Sequence, residues 1–384
     1  MKVMSVFGIR PDWIKGCSVL KALDGSDMEH VMVHTGQHYS YSLDRIFFEE
    51  LGLRDPDYRL EVGSGTQGEQ TARIVERSEQ VMMKERPDIV LVLGDSNSAL
   101  AAISAAKLNV GVAHIEAGMR AYDWRMPEEK NKRIVDHISS YLFAYTHYQR
   151  ENLLLEGVPS YKIHVTGNPS VDTIDEFRLR AQENKVLDHL NLSHKDYFLV
   201  TSHRAENVDA IESLSKILRG LKLVYEKHGK VVVWPLYPRT QKRLVQFGLS
   251  VPDGVKVIEP QGFLEFLRLE MDALCLITDS GTVQEEGCIL KVPCVVIRVS
   301  TERPETVVLG SSVVAGIEPE DILECVDRMV HLEPRWEHPY GSGVSEKILN
   351  ILRSYKKRTL IEEMEGEVVD RRREICFSPY LRRR

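Results

Sequence analysis

The chain has 384 residues, 43% of them apolar, which is more than one hydrophobic core usually supports and enough to fill two domains of comparable size. Its net charge of −7 is spread along the sequence rather than gathered in blocks, so neither nucleic acid nor an anionic membrane surface is expected as a partner. The six cysteines, at 17, 275, 288, 294, 325 and 376, fall singly in apolar segments without a CxxC pair, and read as small core residues of a cytoplasmic protein. The opening MKVMSVFGIRPDWIK resembles neither a signal peptide nor a membrane anchor.

Short runs of Val, Ile and Leu recur, each followed by a Gly, Ser or Asp turn and an amphipathic segment of helical length. That alternation predicts parallel strands joined by crossover helices. In the first half the expected strands are KVMSVFG (2–8), HVMVHTG (30–36), DIVLVLGD (88–95), VGVAHIEA (110–117), YLFAYT (141–146) and KIHVTG (162–167). After a polar stretch near 180–195 the pattern restarts with YFLVTSH (197–203), KVVVWPL (230–236), VKVIEP (255–260), ALCLITDS (273–280), VPCVVIR (292–298) and SVVAG (312–316). Two α/β domains are expected, 1–182 and 183–356, followed by a highly charged extension, 357–384. In open sheets of this kind ligands sit beyond the carboxyl ends of the strands.

The polar residues at those strand ends are the candidates for chemistry. GIRPDWIK sets Arg10 and Lys15 around a helix start, where cations hold phosphate or a polar sugar. LGDSNS puts Asp95 where it either caps the next helix or works as an acid–base group. Glu116 of HIEAG ends a strand apolar enough to be buried, an expensive place for a carboxylate that is neither paired nor functional. In MPEEKNKRIVDH a proline opens a helix with Glu128 and Glu129 in its first turn. Lys130, Lys132 and Arg133 then read as a solvated face, and Ile134, Val135 and Ile138 as the core stripe. TSHRAEN joins His203, a titratable imidazole or a structural one, to the fixed cation Arg204. ITDSGTVQEE offers a Ser-Gly-Thr turn and a helix N-terminus to a phosphate, with glutamates in the next turns, and STERPE adds Arg303. GSGTQG (63–68) is a formal GxGxxG, but it follows the charged, extended YRLEV and reads as a turn, so no nicotinamide cofactor is indicated. No HExxH, Cys/His grid or EF-hand loop indicates a metal.

Taken together and in order, FGIRPDWIK, GDSNS, HIEAG, MPEEKNK, TSHRAEN, TDSGTVQEE and STERPE closely resemble the non-hydrolysing UDP-N-acetylglucosamine 2-epimerases. The resemblance covers roughly residues 1 to 355. It implies two Rossmann-like doubly wound domains facing a central cleft, the glycosyltransferase-B type, and a homodimer. It also implies inversion at C2 of a UDP-linked 2-acetamido sugar, UDP-N-acetylglucosamine to UDP-N-acetylmannosamine as first choice, without a cofactor. Asp95, Glu116, Glu128 and His203 fall on the family's catalytic positions. Arg10, Lys15, Gln261, Phe266, Ser280, Gly281, Thr282, Glu286 and Arg303 fall on positions that hold substrate or UDP. Lys132 stands where the family usually has arginine, and Tyr237 where it commonly has histidine. TGQHYSYSLDRIFFEEL lacks the glutamine pattern of the allosteric site in bacterial members. The open alternatives are another UDP-acetamido sugar, such as a diacetamido-uronic acid or deoxy sugar, a hydrolysing epimerase, a glycosyltransferase of the same fold, or a non-catalytic nucleotide-sugar binder.

Overall fold

The computed structural model describes residues 1–36 and 48–355. The expectations drawn from 37–47 and from the extension 357–384 lie outside the described residues. Two parallel sheets organise the chain. The first contains β1 (Lys2–Phe7), β2 (Glu29–His34), β3 (Tyr58–Arg59), β4 (Ile89–Leu93), β5 (Gly111–Ile115), β6 (Tyr141–Ala144) and β7 (Ile163–Val165), in the order β3-β2-β1-β4-β5-β6-β7. The second contains β8 (Tyr197–Thr201), β9 (Val231–Pro235), β10 (Val255–Ile258), β11 (Cys275–Thr278), β12 (Cys294–Val296) and β13 (Ser312–Val314), in the order β10-β9-β8-β11-β12-β13. In both sheets the strand numbers run outward from the first strand of the sheet, the doubly wound pattern expected from the βα alternation. All twelve expected strands are present, and β3 adds a two-residue edge strand within YRLEV.

Burial on both faces explains why these strands read as continuous apolar runs. Phe198, Val200, Cys275 and Ile277 pack on one side against Leu214, Ile217, Leu221, Ile322 and Val326. Their neighbours Tyr197, Leu199 and Leu276 pack on the other side with Val186, Leu187 and Leu269. In the first sheet Met4, Val6, Val90, Val92 and Val112 meet Ile74, Met82, Ala101, Ala105 and Val135. GSGTQG is a turn into the helix Gln67–Glu85, where Thr66 and Glu69 cap each other's N–H groups.

The chain divides into two compact units whose limits differ from the expected ones. The first comprises the described residues 1–36, 48, 52–173 and 340–355, and the second comprises Glu49–Leu51 and Ile174–Pro339. The last helix among the described residues, Val344–Arg353, returns to the first unit and packs on the helix Arg10–Asp24 through a buried stripe that includes Val344, Ile348 and Leu352. Its entry is held by Asn168 N–H to the Tyr340 carbonyl at 3.0 Å and by the Ser345 N–H to Asp172 at 2.8 Å. Gly167 permits this approach: at φ +101°, a Cβ would lie 2.1 Å from the Tyr340 oxygen. The stretch expected as a linker instead holds the helix Val186–His189, which supplies Val186 and Leu187 to the second core. Among the described residues no helix is long and apolar enough to cross a membrane.

Candidate active site

In the first unit, Lys15, Asp95, Glu116 and Lys132 gather at the carboxyl ends of β1, β4 and β5. Lys15 donates to Glu116 Oε2, both side chains being almost wholly buried, and the Tyr145 hydroxyl after β6 donates to the same oxygen at 3.3 Å. Glu116 stands at φ +74°, an uncommon conformation for a residue with a side chain, at the point where the chain turns out of β5. Lys132 Nζ lies 2.8 Å from Asp95 Oδ2, and Asn131 bonds the Asp95 carbonyl at 3.0 Å. Arg10 opens the first helix and is half-buried.

The helix Pro127–Ile138 corrects part of the sequence reading. Lys132 is completely buried rather than part of a solvated face, and Ile134 is exposed while Val135 and Ile138 pack inward. Glu129 is the buried glutamate, accepting from the Ala121 N–H at 3.0 Å and from Arg133 at 3.1 Å; Glu128 is half-buried. A network that sequence reasoning missed braces this helix. His114 of β5 bonds Asp136 at 2.7 Å through Nδ1 and the Gly94 carbonyl at 2.8 Å through Nε2. Asp136 also takes Arg120 at 2.7 Å, and Arg120 and Arg133 both reach Glu156. Burial pushes the Asp136 carboxyl up, but the His114 and Arg120 contacts together hold it below the usual range.

Asp12 is a second missed residue. It is buried at the first turn of its helix, and its Oδ2 accepts from Gly8 N–H at 3.3 Å, Ile9 N–H at 3.2 Å and Ser96 Oγ at 3.1 Å. Burial raises this carboxyl to about 7, with Asp95 adding to the effect and Lys15 and the two backbone donors opposing it.

In the second unit, His203 follows β8, with its ring half-exposed and its Nδ1 3.5 Å from Asp279. Asp279, fully buried, also accepts from the N–H groups of His203 and Arg204, from Ser202 Oγ and from Asn207, so it orders the whole TSHRAEN turn. The Tyr237 ring meets His203 edge-on, with centroids 5.6 Å apart. The helix Gly281–Leu290 begins at Ser280, whose hydroxyl accepts from Val283 N–H at 3.5 Å. The Arg303 guanidinium lies over its first residue: a Cβ on Gly281 would be 2.8 Å from Arg303 Cζ. Glu285 at 2.6 Å and Glu302 at 3.0 Å hold that guanidinium. Arg204 and Arg298 also converge on Glu302, at 3.7 and 3.9 Å, giving three arginines around one buried carboxylate. Burial, followed by Arg204, lowers the Arg298 pKa. Thr282 is half-buried in the first turn, and Glu286, on the same helix, is buried. Burial, then the charge and hydrogen bond of Glu286, push the carboxyl of Glu270 well above the carboxylate range. Gln261 bonds the Glu259 carbonyl at 2.6 Å, and Phe266 packs on the core of this unit. Two of the missed residues stood in plain motifs, Asp279 in ITDSG and Asp12 in RPD, both beside strand ends.

A helix N-terminus beside an arginine is suited to holding phosphate, and carboxylates paired with lysines at strand ends are suited to proton transfer. The class so defined is an α/β protein with two parallel sheets, each carrying charged groups at its strand ends. Residues 21–353 match the family model for UDP-N-acetylglucosamine 2-epimerase. The UDP-N-acetylglucosamine 2-epimerase of Methanococcus maripaludis is 46% identical over 365 residues, covering 93% of this chain and 99% of the relative. The crystal structure of Methanocaldococcus jannaschii UDP-GlcNAc 2-epimerase in complex with UDP-GlcNAc and UDP is 45% identical, with a TM-score of 0.89 over 92% of this chain and 100% of that one. UDP-2,3-diacetamido-2,3-dideoxy-D-glucuronate 2-epimerase of Pseudomonas aeruginosa is 40% identical over 329 residues, 84% of this chain and 91% of the relative. The chain belongs to the UDP-N-acetylglucosamine 2-epimerase family.

Proposed function

We propose that this protein is a non-hydrolysing epimerase that interconverts UDP-N-acetylglucosamine and UDP-N-acetylmannosamine, built as two Rossmann-like units of the glycosyltransferase-B type and working as a cytoplasmic homodimer. The observation that carries the reading is the pair of lysine–carboxylate contacts, Lys15–Glu116 and Lys132–Asp95, at the ends of β5 and β4 in a chain 46% identical to a UDP-N-acetylglucosamine 2-epimerase.

The C2 proton of the sugar is not adjacent to a carbonyl, so its direct removal is difficult. As the bond from C1 to the diphosphate oxygen breaks, positive charge at C1 makes C2–H acidic. Anti elimination then yields UDP and a glycal. Protonation of C2 on the opposite face and return of the diphosphate oxygen to C1 give the epimer, with no net redox change. One carboxylate accepts the C2 proton and another acid returns it; Asp95, Glu116, Glu128 and His203 are assigned to this work. Arg204 and Arg303, with the Ser280–Gly281–Thr282 turn and its helix N-terminus, stabilise the departing diphosphate. Glu286 accepts from ribose hydroxyls, Gln261 and Phe266 border the nucleotide, and Arg10, Lys15 and Lys132 hold substrate on the catalytic side.

The test is incubation with UDP-N-acetylglucosamine in deuterated water, followed by NMR. Deuterium at C2 of a still UDP-linked sugar is expected; release of the free sugar would mean hydrolysis, and no exchange with any UDP-acetamido sugar would remove the enzymatic reading. The 40% identity to the diacetamido-glucuronate epimerase supports a second reading, in which a related UDP-acetamido sugar is the better substrate; parallel incubations compare the two.

A further inference from the structure

The wholly buried imidazole of His114 takes no part in the steps above, yet its two nitrogens tie together the elements that carry three of the proposed carboxylates. β5 sets His114 opposite Val92 of β4 and two residues before Glu116. Its Nε2 lies 2.8 Å from the carbonyl of Gly94, the peptide oxygen just before Asp95, and the N–H of the same glycine donates to the Ile115 carbonyl at 3.0 Å. Its Nδ1 lies 2.7 Å from Asp136, on the helix that also carries Glu128 and Lys132. Asp136 in turn accepts from the Gly118 N–H at 3.2 Å, so one carboxylate grips the chain two residues before Glu116 and two residues after it. The circuit closes through Asn131 and Lys132, which reach the carbonyl and the carboxylate of Asp95 from that helix.

The chemistry of the two contacts decides where the protons are. A neutral imidazole has one N–H and one bare nitrogen, and the bare nitrogen needs a donor. The Gly94 carbonyl has no proton to give. Asp136 also takes the Arg120 guanidinium at 2.7 Å and the Gly118 N–H, the setting of a carboxylate rather than of a donor acid. A bare nitrogen against either oxygen would leave two buried lone pairs facing each other and both groups without a hydrogen bond. With both nitrogens protonated the charges around the helix balance: His114, Arg120 and Arg133 face Asp136, Glu156 and Glu129, and His137 stands at the rim, 3.6 Å from Glu156.

We infer that His114 is a doubly protonated positioning residue, one N–H fixing the turn of Asp95 and the other fixing the helix of Glu128 and the chain on both sides of Glu116. The inference deepens the epimerase reading and rests on it. The imidazolium touches no substrate and acts through Gly94 and Asp136, setting the spacing of the three carboxylates around C2. An Asp136 carboxyl held below the usual range agrees with this charge state.

Nitrogen-15 NMR of the resting protein at neutral pH, with the ring assigned through the His114 backbone, reads the protons without turnover and without a variant. Two ring N–H signals are expected; one N–H and one bare nitrogen overturns the inference. Two variants then divide the contacts. His114→Asn keeps an amide donor near the place of Nδ1, for Asp136, and loses the bond to Gly94. His114→Gln reaches the place of Nε2, for Gly94, and loses the bond to Asp136. At a temperature where both variants are folded, kcat for C2 exchange should fall about a hundredfold in each, the loss expected when reacting groups are misplaced by about an ångström. KM should change by less than about threefold, since the substrate contacts remain. A histidine with only a structural part would lower the melting temperature and leave kcat of the folded chain unaltered; that result in both variants overturns the inference and leaves the epimerase standing. If the unaltered protein exchanges C2–H of no UDP-acetamido sugar, the epimerase reading falls, and the positioning role falls with it.

Discussion

Lys132 is wholly buried, and its ammonium stands 2.8 Å from the carboxylate of Asp95, which is itself one-quarter exposed. The pair ties the helix that carries Glu128 to the loop after β4. Lysine here is therefore no loose substitute for the arginine usual in related sequences: it fills a closed site and neutralises a strand-end carboxylate.

Replacing it tests that arrangement. Lys132→Met leaves Asp95 without its cation and should cost about 3 kcal/mol, the low end for a broken buried pair because Asp95 keeps some contact with water. C2 exchange should fall at least about a hundredfold. Lys132→Arg keeps the charge but pushes a larger head group into a filled space, for a cost of about 1–3 kcal/mol. Chemical denaturation and NMR exchange read the two effects separately, and an unchanged stability in Lys132→Met would remove the pairing as a support of the fold.

The two glutamates of MPEEK should separate cleanly. Glu129→Gln loses charge from a fully buried site that holds the Ala121 N–H and Arg133, so the melting temperature should drop, by about 1–2 kcal/mol in stability. Glu128→Gln changes a half-buried group and should leave the melting temperature nearly unaltered while exchange falls about a hundredfold or more. The reverse pattern would exchange their assignments.

Gly281→Ala tests the proposed nucleotide end. The new Cβ, 2.8 Å from Arg303 Cζ, has to move a guanidinium that Glu285 and Glu302 already hold on two sides. UDP binding measured by calorimetry should weaken about tenfold to a hundredfold, and stability should fall by about 1–3 kcal/mol, because the displaced guanidinium pairs less well with its two buried carboxylates. Unaltered affinity would detach Arg303 and this helix start from the diphosphate.

The alternation of apolar runs and turns made the two sheets legible, because strands buried on both faces carry their signal in consecutive residues. β3 escaped it for the opposite reason: two half-buried residues at an edge leave no periodicity. The return of Val344–Arg353 to the first unit depends on packing against a helix more than 300 residues earlier, which no local window contains. The strand-end placement of the candidate residues was legible wherever a polar residue ended an apolar strand, as with Asp95, Glu116 and His203. It was illegible where two identical residues adjoin, since the burial of Glu129 rather than Glu128 is set by the loop that donates the Ala121 N–H. Lys132 was misread because KNKR has the composition of a solvated face, and only Asp95, delivered from another strand, shows why one of those cations turns inward. Asp12 escaped because an acid in the first turn of a helix already suits the helix dipole and asks for no further explanation.

Asp12 should also mark the stability of the protein. Its carboxyl titrates near 3.8 in the ordinary case and at about 7 in the folded chain. Below about pH 4 both the folded and unfolded states hold the proton, and stability does not depend on this group. Between about pH 4 and pH 7 the unfolded chain releases the proton while the folded chain keeps it, so stability falls as the pH rises; above about 7 both are ionised and the slope from this group ends. Across pH 5 to 8 the loss should be on the order of 3 kcal/mol, at about 1.4 kcal/mol per unit over roughly two units. Asp12→Asn has no such slope. Urea unfolding of both proteins at the two pH values should therefore find the substituted chain gaining on the unaltered one as the pH rises. A difference between them that is the same at pH 5 and pH 8 would mean that Asp12 ionises normally, and that the closed surroundings of its carboxyl leave its proton unaffected.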